Sequence, residues 1–190
     1  MRLTLTEETL REIRDLRSLG VLADVDPHKI NGDSNNTIIM CSDGHQSVKT
    51  LTKHGEYLEK DGQHICCHAH MLNGGALLIA PHLPNKGKQP ADLVLLEQIE
   101  QSFKLKGANT LVLYVHAPCG AALLNNLNFV DMLVHLFEAK DRIKGHFSWK
   151  IGLKVVCFCQ IDYGDKKLTY FVSREKFTTW RSSQGKDATG

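Results

Sequence analysis

The chain carries little net charge. Lys and Arg number 23 against 21 Asp and Glu, a balance of +2 with histidine neutral. That is too small to argue for nucleic acid or an anionic membrane surface as a partner. Lys86-Gly-Lys88 and Lys166-Lys167 are short pairs that read as solvated charge. Long apolar runs are missing as well. Ala76–Ala80 and Thr110–Val115 are the longest, far below the roughly 20 residues that cross a bilayer. Met1 to Asp15 alternates in charge and has no apolar stretch of the secretory kind. The expectation is a soluble cytoplasmic protein with no membrane partner. No internal repeat or low-complexity tract is present. Gly74-Gly75 lacks the surroundings of a dinucleotide or phosphate loop, so nucleotide binding has no support.

What is abundant is cysteine and histidine, six and ten in 190 residues. A reducing compartment does not favour disulfides, which leaves metal binding or plain burial as their uses. The length suits one domain spanning 1–190. With 42% hydrophobic and 23% charged residues it can bury a core without covalent staples.

Periodicity outlines the elements. Leu3–Leu19 repeats Leu10, Ile13, Leu16 and Leu19 at helical spacing, with Thr6-Glu7-Glu8 as a start and Gly20 as a stop. Residues 1–30 are expected to form an N-terminal helical arm. Asn31–Asn36 reads as a polar loop and Thr37–Cys41 as a buried strand. Ser47–Tyr57 stays ambiguous. His64–His70 reads as a second strand or its approach, and Asn73-Gly74-Gly75 as a tight turn. Pro81–Pro90 is a loop, Ala91–Lys106 a helix ended by Gly107, and Thr110–Val115 the clearest buried strand. His116–Gly120 is expected to be the turn that leaves it. Asn128–Ile143 reads as a helix, and Leu153–Tyr163 with Lys167–Ser173 as a hairpin. Residues 182–190 are expected to form a loose tail. Strands alternating with helices predict an α/β fold with a central, mostly parallel sheet flanked by helices.

In such folds ligands gather beyond the C-terminal ends of strands. Cys41 and His116-Ala-Pro-Cys119 both stand at such ends. Zinc takes thiolate and imidazole in a tetrahedron, and a catalytic zinc keeps one position open. The H-x-x-C spacing lets His116 and Cys119 reach one ion from a single turn, and Cys41 joins them if its strand is a neighbour. Taken singly, a cysteine at a strand end is more often a small buried hydrophobe, and an H-x-x-C pair alone is a weak signal; the joint pattern is what favours a metal. Cys66-Cys67-His68-Ala69-His70 is a second concentration of donors. On a strand Cys66, His68 and His70 would share a face, but they span too far for one ion unaided. Cys157 and Cys159 share a strand face and read as buried structural thiols.

Cys41-Ser-Asp43-Gly-His45 resembles the C-x-D-x-R motif of the β-class carbonic anhydrases, and His116-Ala-Pro-Cys119-Gly120-Ala121 resembles that family's H-x-x-C-G segment. Asn73-Gly74-Gly75 is similar to the Asn-Ala-Gly turn between them, and Val156–Leu168 to the closing strand pair. The four segments occur in the family's order. The resemblance implies one β-carbonic-anhydrase-like domain holding zinc through Cys41, His116 and Cys119. It implies assembly as a homodimer or higher oligomer, and reversible hydration of CO₂ to bicarbonate by zinc-bound hydroxide. Asp43 and His45 would be the catalytic side chains. Asn73, Gly74, Gly75 and Gly120 would line the substrate pocket.

The sequence departs from the family at His45, where the motif has Arg. A guanidinium is always charged and forks onto carboxylate, whereas imidazole near neutrality does neither reliably. Three outcomes stay open. Asp43 becomes a fourth ligand and closes the site; a protonated His45 stands in for the Arg; or His45 shuttles protons. A closed site would make the chain a non-catalytic zinc-binding homologue. An open one could also hydrolyse a CO₂-like molecule such as COS or CS₂. The Leu78–Ala91 segment is longer than compact members carry, and reads either as a lid or as a tolerated surface insertion.

Overall fold

The computed structural model describes residues 3–27, 30, 35–59, 67–87 and 90–184. Six strands form one sheet: β1 (Leu22–Asp24), β2 (Asn36–Cys41), β3 (Cys67–Leu72), β4 (Thr110–Ala117), β5 (Lys154–Asp162) and β6 (Lys167–Val172). Their order is β1-β6-β5-β4-β2-β3. Pairing is parallel from β3 through β2 and β4 to β5, then antiparallel to β6 and β1. The central strands β2 and β4 are buried along their whole length, and β5 from its second residue onward. This is why they read as near-continuous apolar runs rather than alternating ones. The fold is α/β, with helices on both faces of a mostly parallel sheet.

The two faces differ in size. The larger core gathers α1 (Glu7–Ser18), a 3₁₀ turn (Gly75–Ile79), α3 (Ala91–Lys106) and α5 (Phe129–His146) against Ile39, Leu111, Leu113, Val115, Cys157 and Cys159. On the smaller face α2 (Ser47–Leu58) brings Leu51, Tyr57 and Leu58 onto Ile38, Met40, Val112, Tyr114, Val156 and Phe158. Local signals set the helix starts. Thr6 Oγ1 accepts the N–H of Thr9 ahead of α1, and Asn128 with Asp131 forms a capping box ahead of α5. Gly107 ends α3 in the left-handed conformation that favours glycine.

Several boundaries differ from the sequence expectation. The first helix begins at Glu7, not Leu3. Residues 1–30 hold more than a helical arm, since Leu22–Asp24 joins the sheet beside β6. The ambiguous segment 47–57 is helix. His116 and Ala117 belong to β4 and not to the following turn, because β5 continues to pair with them. The turn then enters a short helix α4 (Gly120–Leu124) through a cis Ala117–Pro118 bond. Within 78–91, Leu78 and Ile79 are helical and buried and Ala91 opens α3, while 88 and 89 lie outside the described residues. A final helix α6 (Arg174–Gln184) takes in the first three residues of the expected loose tail. Residues 185–190 lie outside the described residues, as do 31–34 of the polar loop and 60–66, including Cys66. Among the described residues no helix is long and apolar enough to cross a membrane.

Candidate metal centre

The chain after β2 runs through α2 on the small face, and the chain after β4 runs to α5 on the large face. Neighbouring strands whose connections leave to opposite faces open a crevice at their C-terminal ends, the usual ligand position in such sheets. Backbone pairing agrees. β2 stays in register with β4 only to Ile39↔Leu113, whereas β4 pairs with β5 up to Ala117↔Ile161. The ends of β2 and β4 therefore part, and the expected donors meet there.

Cys41, His116 and Cys119 each offer one ligand atom, and these atoms lie within 4.8 Å of one another. All three residues are buried, with 5–7% of their surface exposed. Both ring nitrogens of His116 are buried without a hydrogen-bond partner. Such a group is destabilising unless something pairs with it. The two thiols are in conflict. Cys41 is pulled down to about 4 by the hydrogen bond from Cys119, against burial, with further help from nearby His116 and the Gly74 N–H. Cys119 is pushed up by the same pairing and by burial. One thiolate forms readily and its charge opposes the second. A divalent cation removes that opposition and takes an imidazole nitrogen, so the donor set fits a metal ion.

The Asn73–Gly75 turn closes over the end of β2. Gly74 N–H donates to Cys41 Sγ at 3.3 Å, and Ser42 Oγ donates to Asn73 Oδ1 at 2.7 Å. Gly75, at φ +51°, lies so close to Cys41 that a Cβ would stand 2.4 Å from its backbone nitrogen. Glycine is required here to let the turn touch the Cys41 backbone. Backbone N–H groups of Ala122 and Ala121 point at Cys119.

Asp43 is half-buried and His45 exposed. Asp43 Oδ1 accepts the His45 backbone N–H at 2.9 Å, an Asx turn that tethers the carboxylate to its own loop. Among the described residues Asp43 is not part of the close donor group. The His45 carbonyl accepts from Lys167 Nζ. Cavities among the described residues touch the donors on two sides. One of about 10 Å³ is lined by Met40, Cys41, Gln46, Thr50, Tyr114, Val115, His116 and Gln160. The other, about 290 Å³, lies between Cys119 and the segment from Leu3 to Thr9. Asn73, Gly74, Gly75 and Gly120 line neither; Gly74 and Gly75 serve as backbone supports of Cys41.

His68 and His70 do share a face of β3, with ring centroids 4.8 Å apart. Cys66 lies outside the described residues, and no third donor joins the pair among those described. Cys157 and Cys159 are fully buried, as expected for structural thiols. Sequence reasoning missed a buried polar layer beside the donors: Gln46 at the N-cap of α2, with Thr50 and His54 on that helix, facing Tyr114, Gln160 and Asp162. The signal in the sequence is the four-residue spacing of the α2 members and the polar pair Gln160 and Asp162 near the end of an apolar strand.

No family model matches the chain, and no curated protein matches it. Among solved structures it is similar to the β-carbonic anhydrase CcaA, at 14% identity and a TM-score of 0.38, over 88% of this chain and 91% of that one.

Proposed function

We propose that this chain is a zinc enzyme for reversible hydration of CO₂ to bicarbonate, the reaction implied by its resemblance to the β-class carbonic anhydrases. The observation that carries the reading is the buried Cys41–His116–Cys119 group at the parted ends of β2 and β4. Two thiolates and an imidazole suit zinc over harder cations, and three protein ligands leave a fourth position free. Bound there, zinc supplies a Lewis acid that brings the pKa of a water to about 7.

The protein's own groups prepare that position. The Gly74 N–H moderates the charge on Cys41, and the Ala121 and Ala122 N–H groups do so for Cys119. Burial excludes bulk water and strengthens each of these interactions. Asp43 orients the reacting water by accepting its hydrogen bond. An open site, and not one closed by Asp43, is supported by the tether from the His45 backbone N–H. In this reading the His45 backbone performs the restraint that an Arg side chain performs in the family motif. Assembly as a homodimer or higher homo-oligomer belongs to the same proposal, and sedimentation reads it directly.

The test is stopped-flow CO₂ hydration by zinc-quantified protein from neutral to alkaline pH, with Asp43→Asn alongside. One zinc per chain and activity rising with pH is the expected result, with Asp43→Asn strongly reduced. Zinc without activity would overturn the hydratase reading in favour of a closed site or of COS or CS₂ as substrate, which the same protein can be offered. Full zinc occupancy in Cys41→Ser would overturn the site itself.

A further inference from the structure

The small cavity against Cys41 and His116 brings together two kinds of unsatisfied polar atom. Gln46 Oε1 is buried without a hydrogen-bond partner, and so are both ring nitrogens of His116. Both residues line this same cavity. Its volume of about 10 Å³ is about what a single water needs, and a water is stable there only with several polar partners. The Gln46 amide is not free to turn. Its Nε2 donates to Asp162 Oδ2 at 3.0 Å, and Asp162 is in turn paired with Lys167 Nζ at 3.3 Å. A carboxylate accepts only, so this contact fixes Nε2 toward Asp162 and leaves the unpartnered Oε1 as the amide's acceptor. Thr50 Oγ1, on the same wall, sits 2.6 Å from Gln160 Oε1, and Gln160 is the register partner of His116.

A metal-bound imidazole carries its proton on the other nitrogen and needs an acceptor for it. We propose that Gln46 is the positioning residue of His116. A single water in this cavity accepts the His116 N–H and donates to Gln46 Oε1, and the Asp162–Lys167 pair anchors the amide from behind. The arrangement resembles a carboxylate–histidine–metal chain in which the carboxylate acts through an amide and one water. The inference rests on His116 being a metal ligand, as proposed above. It assigns to the N-cap of α2 a task beyond packing: it sets which imidazole nitrogen faces the ion.

The experiment measures zinc affinity by chelator competition for the wild type, Gln46→Met and Asp162→Asn, with nitrogen-15 NMR of the His116 ring. Gln46→Met keeps the shape and removes the acceptor. Its zinc affinity is expected to fall about 10–100-fold, and the slowly exchanging His116 N–H signal of the zinc-loaded wild type is expected to vanish. Asp162→Asn should weaken zinc by a smaller factor while the cavity wall stays in place. A merely structural role for Gln46 would lower the melting temperature of the metal-free protein and leave both readouts unchanged. Wild-type affinity in Gln46→Met overturns the role and spares the zinc site. Failure of the wild type to take zinc overturns both. Should Gln46→Met not fold, a crystal structure of the zinc-loaded wild type decides. A water bridging Gln46 Oε1 and His116 supports the role, and a dry cavity refutes it.

Discussion

Gly75 is where one added methyl group should do most damage. A Cβ there would stand 2.4 Å from the Cys41 nitrogen and from the Met40 carbonyl carbon, and 2.9 Å from the Met40 oxygen. Carbon contacts settle near 3.5–4.0 Å, so turn and strand would have to separate by about 1 Å. Both sides are backbone, which no rotamer change can relieve. The left-handed φ adds about 1–2 kcal/mol. The sum lies at the upper end of single substitutions, about 4 kcal/mol. For a chain of this size that lowers the melting temperature by roughly 8–16 °C. Gly74 and Gly120 are the controls. At Gly74, φ is +93° but the new contacts are side chains, Leu78 Cγ at 3.3 Å and Ala121 Cβ at 3.4 Å. Gly74→Ala should therefore lose about 1–2 kcal/mol. At Gly120 the nearest atom is Leu3 Cδ1 at 3.9 Å, and Gly120→Ala should stay within about 0.5 kcal/mol of wild type. Thermal melts of the three variants, with zinc affinity for each, give the ranking. Wild-type melting and zinc binding in Gly75→Ala would refute the close approach as the reason for the glycine.

Acid should loosen the small-face core through His54. Burial lowers its pKa from 6.5 to about 4, so as pH falls through that interval the unfolded chain takes up a proton that the folded one refuses. Stability should drop across it by up to about 3 kcal/mol. Urea melts of wild type and His54→Gln should show a steeper pH slope in the wild type, and equal slopes would count against burial as the cause. Arg142 Nη1 donates to both the Ile79 carbonyl, at 3.0 Å, and Asp92, at 2.7 Å. Arg142→Met should lose about 2 kcal/mol in denaturant unfolding by orphaning them; a loss near zero would show that water replaces the guanidinium. Alkylation of the native protein, followed by mass spectrometry, should label exposed Cys67 well before Cys157. Burial excludes reagent from Cys157 and pushes its thiol up to about 12. Equal labelling would mean that β5 opens readily.

How much of this was legible in the sequence depended on what each segment buries. Ala91–Lys106 and Thr110–Val115 were readable because their buried faces are apolar and their ends are marked. The α2 segment was not, because its inward residues include Ser47, Thr50 and His54 while Val48 is exposed. Its apolar stripe is reduced to Leu51, Tyr57 and Leu58, with polar residues facing inward beside them. The helix at 174–184 buries only Phe177, and three-residue β1 is too short for any pattern. The donor residues were legible from motif and spacing. Their neighbours Gln46 and Asp162 were not, since their pairing spans 116 positions and exists only once the sheet has formed.

The strand order also dictates when the site can come into being. Cys41 leaves the ribosome well before His116 and Cys119, and β4 pairs with β2 across the intervening α2, β3 and α3. Parallel pairing of this kind closes a long loop before any contact rewards it. Until then His116 and Cys119 are a weak local pair and Cys41 is a lone thiol. The three-donor group thus depends on the long-range pairing of β2 with β4 and on no local contact between Cys41 and the other two.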